Sequence, residues 1–435
     1  MDKSPKLSLK HVLIIISALV AILLSALFVV NYEMIVDSEK STFTGLVGDI
    51  SIGTLLPFTG DLSQQGEEDK LAIDLAAKDF NEYLDGTNAN WNLKIVHEDS
   101  ATHPVTALEK ITSFHDKNIN LIIGPGSSGE LQNIMEYIDA NNMLVFSQSS
   151  TAPSLAIPGD TVFRLTPDDS KQGPAIASLL QHENISVIIQ LVRADIWGNG
   201  LSDSVAKSFS KKQGESQIIR YNPDTPEFSV TTLSLAKAVN EQVDIHGPDN
   251  VGVLVIGFTE TLQFMQEASE HEILNDIQWF GTDGNTDDTN ITSDPIASEF
   301  VNKVKFSTTA LAVNNNDIRE YVEEKIVSDL GRTPKTYVFS AYDIVWILGL
   351  AIEEANSSDV EKITTIISNV AANYDGAVGN AKLNEAGDLD TSDYDVWEIK
   401  NGKWIHVELY DSANDAIIEL HEKHIEEELI QWHLK

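Results

Sequence analysis

From Asp49 onward the chain repeats one pattern, a short apolar run followed by a longer amphipathic stretch. The apolar runs are Ile50–Leu56, Leu93–Val96, Leu121–Ile123 and Leu144–Phe146. They are nearly continuous rather than alternating, which marks strands buried on both faces. The stretches between them, 67–84, 105–116 and 128–140, carry apolar residues at helical spacing, as in Leu71, Leu75, Phe80 and Leu84. After Arg164-Leu165-Thr166-Pro167 the rhythm starts again. Helices over 173–182, 201–213, 232–242 and 260–270 lead to strands at Val187–Leu191, Gln217–Tyr221, Val251–Ile256 and Gln278–Gly281. Each strand returns through a helix, so the strands must be parallel and the helices must cover both faces of a sheet. The pattern therefore predicts an α/β protein with two doubly wound parallel-sheet (Rossmann-like) units in series. Three further helices are predicted at 318–330, 341–355 and 360–372, then strands at 394–399 and 404–410. The stretch from Asp411 to Lys435 reads as an acidic, helix-prone extension.

Ahead of this pattern lies a different kind of segment. Lys3, Lys6 and Lys10 precede an uncharged run of 19 residues, Val12 to Val30, and Glu33, Asp37 and Glu39 follow it. Such a run is long enough to span a bilayer, and the lysines place its start on the cytoplasmic side. The expected order is a cytoplasmic segment over 1–11, a membrane anchor or signal segment over 12–30 and a polar linker over 31–47. No small-x-small site follows the run, which favours a retained anchor over a cleaved signal. The rest of the chain is then extracytoplasmic. Sequons at Asn184, Asn290 and Asn356 fit that address.

Composition narrows the chemistry. There is no cysteine among the 435 residues, which excludes disulfides, thiolate metal sites and cysteine nucleophiles. The formal charge is −38, so a polyanion such as nucleic acid is not a partner. Ligands of open parallel sheets bind beyond the carboxyl ends of the strands. Three strand-end turns stand out there. Gly124-Pro125-Gly126-Ser127-Ser128-Gly129 opens a helix, Ser147-Gln148-Ser149-Ser150-Thr151-Ala152-Pro153 is rich in hydroxyls, and Thr282-Asp283-Gly284 carries a carboxylate. A helix start with exposed N–H groups suits an anion, and Ser127, Ser128, Ser149 and Thr151 add hydroxyls. Asp283, in the other unit, suits a cation. A zwitterion satisfies both. Read as local structure alone, the same residues are capping serines and turn formers.

The ordered set of motifs resembles the type I periplasmic binding proteins of the branched-chain amino acid (Leu/Ile/Val-binding) class, which serve ABC transporters. It comprises Ile52-Gly53-Thr54-Leu55-Leu56-Pro57-Phe58-Thr59-Gly60, the Gly124–Gly129 turn, Ser149–Pro153, Phe163–Asp168 with Gln172-Gly173-Pro174, and Trp197-Gly198-Asn199-Gly200. The resemblance spans roughly residues 48–410. It implies that Ser128, Ser149 and Thr151 hold a ligand carboxylate, that Asp283 holds an ammonium group, and that Trp197 lies in the cleft. Phe258 stands where relatives often carry a tyrosine, and Gln65 where some carry an aromatic residue, so the side-chain pocket differs from a leucine pocket. The resemblance further implies a hinge crossed three times, near 168, 310 and 391. Lobe one is then 48–168 with 311–390, lobe two is 169–310 with 391–412, and 413–435 is the acidic helical tail. The expected partners are a small amino-acid-like ligand, an ABC permease and the membrane, and no cofactor is expected.

Other classes fit less well. Gly126-Ser127-Ser128-Gly129 is not a nucleophile elbow, because Glu130 stands where its last glycine belongs. No phosphate-binding P-loop or Gly-x-Gly-x-x-Gly turn is present. His97 with Glu98, and His421 with His424, lack the further ligands that a metal site needs. The alternative function is an amino-acid, amide or urea sensor that does not transport.

Overall fold

The computed structural model describes residues 45–313 and 315–420. Segment 12–30, with its expected anchor, and residues 421–435 lie outside them. No helix of the described residues is long and apolar enough to cross a membrane. The unit that begins at Gly48 carries everything below.

Its first layer contains β1 (Gly48–Leu56), α1 (Ser63–Thr87), β2 (Trp91–Asp99), α2 (Pro104–Asp116), β3 (Leu121–Ile123), α3 (Ser128–Ala140), β4 (Leu144–Ser147) and β5 (Val162–Arg164). The five strands pair in the order β2-β1-β3-β4-β5, all parallel. The short strand β5 is absent from the apolar pattern. With three residues it is too brief to stand out from the loops around it.

The second layer runs through α4 (Asp169–His182), β6 (Val187–Arg193), α5 (Ile196–Lys211), β7 (Glu215–Tyr221), α6 (Ser229–His246), β8 (Val251–Ile256), α7 (Thr261–Ala268), α8 (Glu272–Asn275), β9 (Gln278–Phe280), α9 (Thr289–Ser293), α10 (Pro295–Lys303) and β10 (Ser307–Leu311). Strand β6 shows why its run is continuous. Val187, Ile189 and Leu191 enter one core cluster, and Ile188 and Val192 enter another. Helices covering both faces demand that composition.

The chain then leaves this sheet. Helices α11 (Asp317–Leu330), α12 (Tyr337–Ala355) and α13 (Val360–Ala372) follow, and α11 and α12 pack on α1 of the first layer. A small hairpin, β11 (Asp375–Gly376) with β12 (Gly379–Asn380), comes next. Strands β13 (Tyr394–Lys400), β14 (Lys403–Asp411) and β15 (Ala416–Glu419) return to the second sheet, whose order is β15-β14-β13-β10-β9-β8-β6-β7. Two units in strict series, as periodicity alone suggests, do not describe this path. In the tail, residues 416–419 form an antiparallel strand against β14 instead of a helix. Ile417 there packs against Tyr394 and Tyr410, and that contact overrides the local helical tendency.

Candidate functional site

The turn after β3 is shaped by one glycine. Gly124 has φ +97°, and a Cβ there would stand 2.2 Å from the Leu55 carbonyl oxygen. Only glycine lets the chain turn this closely under β1. Helix α3 then begins with a reciprocal cap. Ser127 Oγ accepts from the Glu130 N–H at 3.3 Å, and the Glu130 carboxylate accepts from the Ser127 N–H and hydroxyl. Ser127 therefore reaches the cavity with its hydroxyl proton already given to Glu130.

Ser128 fastens this helix to the loop after β4. Its Oγ accepts from the N–H groups of Thr151 at 3.1 Å and Ala152 at 3.0 Å, and from the Ser150 hydroxyl at 3.2 Å. Ser149 Oγ donates to the Gly126 carbonyl at 2.9 Å and accepts from Gln65 Nε2 at 2.7 Å. Beneath the loop, Arg164 donates to the carbonyls of Ser150 and Ala152 and forks onto Asp388 at 2.5 and 2.6 Å. Both ends of this ion pair are buried.

Lobe two supplies an aromatic wall. Trp197, in the first turn of α5, stacks on Phe258 with centroids 4.6 Å apart and planes 14° from parallel. The Arg193 guanidinium lies 4.5 Å from the Phe258 centroid and pairs with Glu260, Asp195 and, across the cleft, Asp61. Gly284 makes room for the wall, since a Cβ there would meet Trp197 at 2.8 Å. Beside it, Asp283 Oδ2 accepts from the Tyr337 hydroxyl at 2.7 Å. Burial raises the Asp283 carboxyl above the usual range. Asp169, at the start of α4, is also buried. Burial, and then the nearby Asp283, push its carboxyl well up.

These groups meet around one small cavity. Gln65, Ser127, Ser128, Ser149, Trp197, Phe258 and Asp283 all line it, joined by Leu62, Gly126, Gly284 and Tyr337. Of the residues singled out in the sequence, Thr151 alone does not. It is buried beside Asp169, whose N–H donates to the Thr151 carbonyl at 2.9 Å. Tyr337 and Asp169 escaped the sequence reading because each sits on a helix, where no strand-end turn marks it. Further bonds tie the two layers together. Gln64 on α1 donates to the Asp287 carbonyl and accepts from the Thr289 hydroxyl, each at 2.9 Å, and Lys335 Nζ reaches the Gly284 carbonyl at 3.3 Å.

Among the described residues, one cluster has the ligand atoms of a metal site within reach of one another, His182, Glu183 and Glu408. It lies at the far end of α4 from Asp169, about 20 Å away by helical rise. The His421 and His424 pair falls outside the described residues.

A family model described as "Receptor family ligand binding region" matches residues 68–402. The chain belongs to that family. Within it, the two-lobed architecture is that of the type I periplasmic binding proteins of the branched-chain amino acid class. A protein of Methanocaldococcus jannaschii, named Uncharacterized protein MJ1266, is 26% identical over 392 residues, covering 85% of this chain and 91% of its own. Leu/Ile/Val-binding protein homolog 3 of Brucella melitensis is 20% identical, covering 83% of this chain and 94% of its own. Among solved structures, a leucine binding protein, LivK, of Thermotoga maritima superposes with a TM-score of 0.73 at 21% identity, over 84% of this chain and 99% of that one. The substrate-binding protein LivJ of Streptococcus pneumoniae, in complex with isoleucine, gives 0.68 at 17% identity, over 86% and 100%.

Proposed function

We propose that the protein is an extracytoplasmic substrate-binding protein that captures an α-amino acid between its lobes and delivers it to an ABC permease. The observation that carries this reading is the polarity of the cavity. One side offers the α3 start and the Ser128 hydroxyl, and the other offers the buried carboxyl of Asp283 with Asp169 behind it. A carboxylate is favoured at the first side and an ammonium group at the second. A zwitterion relieves both, because the ammonium restores the charged form of a carboxyl that burial disfavours. Trp197 and Phe258 wall the space, and Thr151 acts through its N–H bond to Ser128. The names of the relatives and of the superposed structures point the same way. The charge pattern around residues 12–30 supports a membrane tether that keeps the loaded protein near its permease.

Calorimetry on the detergent-solubilised full-length protein with a panel of amino acids tests this. One or more should bind. Ser128→Ala should weaken binding by about 1–3 kcal/mol, the usual cost of a lost buried hydrogen-bond partner. Asp283→Ala should cost at least as much for an amino acid and little for its neutral des-amino amide. Undiminished affinity in both variants would refute the site.

A further inference from the structure

Gln65 reaches the cavity from α1, and its amide is held in one orientation. Its Nε2 donates to Asp69 Oδ2 at 3.3 Å and to Ser149 Oγ at 2.7 Å. Gln148 Nε2 donates to the same Asp69 oxygen at 2.8 Å. Rotating the Gln65 amide by half a turn would set its carbonyl oxygen against a carboxylate. It would also break the bond to Ser149, whose proton is already given to Gly126. Both Gln65 hydrogens are thus consumed. Its Oε1 is left as the polar atom of this amide with no partner among the hydrogen bonds of the described residues.

The surroundings do not supply the missing donor. Asp69 is fully buried, and its Oδ1 lacks a hydrogen-bond partner, as does the buried Oε1 of Gln148. The charged groups acting on Asp69 are the adjacent Glu68 and Lys335. Both are engaged elsewhere, Glu68 with Arg332 and with the Lys335 N–H, and Lys335 Nζ with the Gly284 carbonyl. Behind Gln65, therefore, buried acceptors outnumber donors, and of Gln65, Asp69 and Gln148 the first is the one that lines the cavity.

Building on the amino-acid reading above, we infer that the preferred ligand carries a hydrogen-bond donor on its side chain, a hydroxyl or a carboxamide. Gln65 Oε1 accepts that donor, and Asp69 is the positioning residue that keeps Oε1 facing it. An aliphatic side chain of equal size would bury the Gln65 oxygen unpaired, and a site built for a hydrogen bond rejects an analogue that lacks one.

Threonine and valine have nearly the same shape and differ by that donor, and O-methylserine offers an acceptor only. Affinities for the three are measured by calorimetry on the full-length protein at pH 8, where Asp69, pushed by burial up to about 7, is ionised. Threonine should bind at least about tenfold more tightly than valine. Gln65→Leu should reverse that order. Asp69→Asn removes one of the two restraints on the Gln65 amide, because the introduced amide N–H can face the turned carbonyl, so O-methylserine should gain on valine. A purely structural role for Asp69 would lower both equally. Valine binding as tightly as threonine overturns this inference and leaves the amino-acid reading standing. Binding of no amino acid at all overturns both. An unchanged ratio of O-methylserine to valine in Asp69→Asn removes Asp69 from its role.

Discussion

The two lobes reach one cavity by different means. Lobe one works through contiguous sequence. The Gly124–Ser128 turn and the Ser147–Ala152 loop each leave a parallel strand and are knitted together by backbone N–H groups, hydroxyls and Arg164. Lobe two works through side chains that are far apart in the chain. Trp197, Phe258 and Asp283 come from the ends of three separate strand-to-helix units. The first lobe is built on an all-parallel sheet, while the second adds three antiparallel strands at one edge. The lesson is one of rigidity. A loop saturated with backbone bonds can hold an invariant group such as a carboxylate, whereas a wall of separate side chains can be altered one residue at a time.

The contrast can be broken most strongly at its base. Arg164 and Asp388 form a buried, two-pronged pair that supports the lobe-one loop from beneath. Asp388→Ala should destabilise the fold by about 3–5 kcal/mol, because it leaves a buried guanidinium without its counter-charge. Urea unfolding measures this. Arg164→Met combined with Asp388→Leu should recover much of the loss, since an apolar pair leaves no charge uncompensated. A mild effect of the single change would show that the loop does not depend on its foundation.

The lobe-two wall should respond more modestly. Gly284→Ala places a methyl group 2.6 Å from the Gly257 carbonyl oxygen and 2.8 Å from Trp197. Overpacking of this kind costs about 1–3 kcal/mol. The Trp197–Phe258 stack should shift, and ligand affinity should fall with it. Unchanged affinity would mean that the wall adjusts freely.

The smallest effect concerns pH. Burial pushes Asp69, Glu130 and Asp343 each up to about 7. All three belong to α1, α3 or α12, on the lobe-one side. An unfolded chain ionises these carboxyls near pH 4, while the folded one keeps them protonated until about 7. The native state therefore binds more protons across that window, and stability falls as pH rises through it. Asp74, Glu98, Asp99 and Asp415 are shifted downward and work in the opposite sense only when the pH falls toward their own lowered values. The melting temperature at fixed high salt should be a few degrees lower at pH 8 than at pH 5.5. Glu130→Gln should shrink that difference.

Much of this molecule was legible in its residues. Parallel strands buried on both faces leave apolar runs that need no context, so β1, β3, β6 and β8 could be read directly. The strand-end turns could be read as well, because a tight turn into a capped helix start requires glycine and hydroxyls in close succession. Strands β5 and β10 could not. The first has only three residues, and the second, Ser-Thr-Thr-Ala-Leu, is polar yet fully buried among neighbours that only the fold provides. Residues 416–419 became a strand for the same reason.

By itself, then, the sequence determined the layered α/β class and the turns that crown the first sheet. These are consequences of short-range periodicity and of chemistry carried by neighbouring residues. Tertiary structure alone decided that Tyr337 would cap Asp283, that Thr151 would stand behind the cavity, and that Asp69 would turn the Gln65 amide. Each of those depends on which surfaces meet across hundreds of residues, and a hydrogen bond requires a partner at a particular distance and angle that local pattern does not encode.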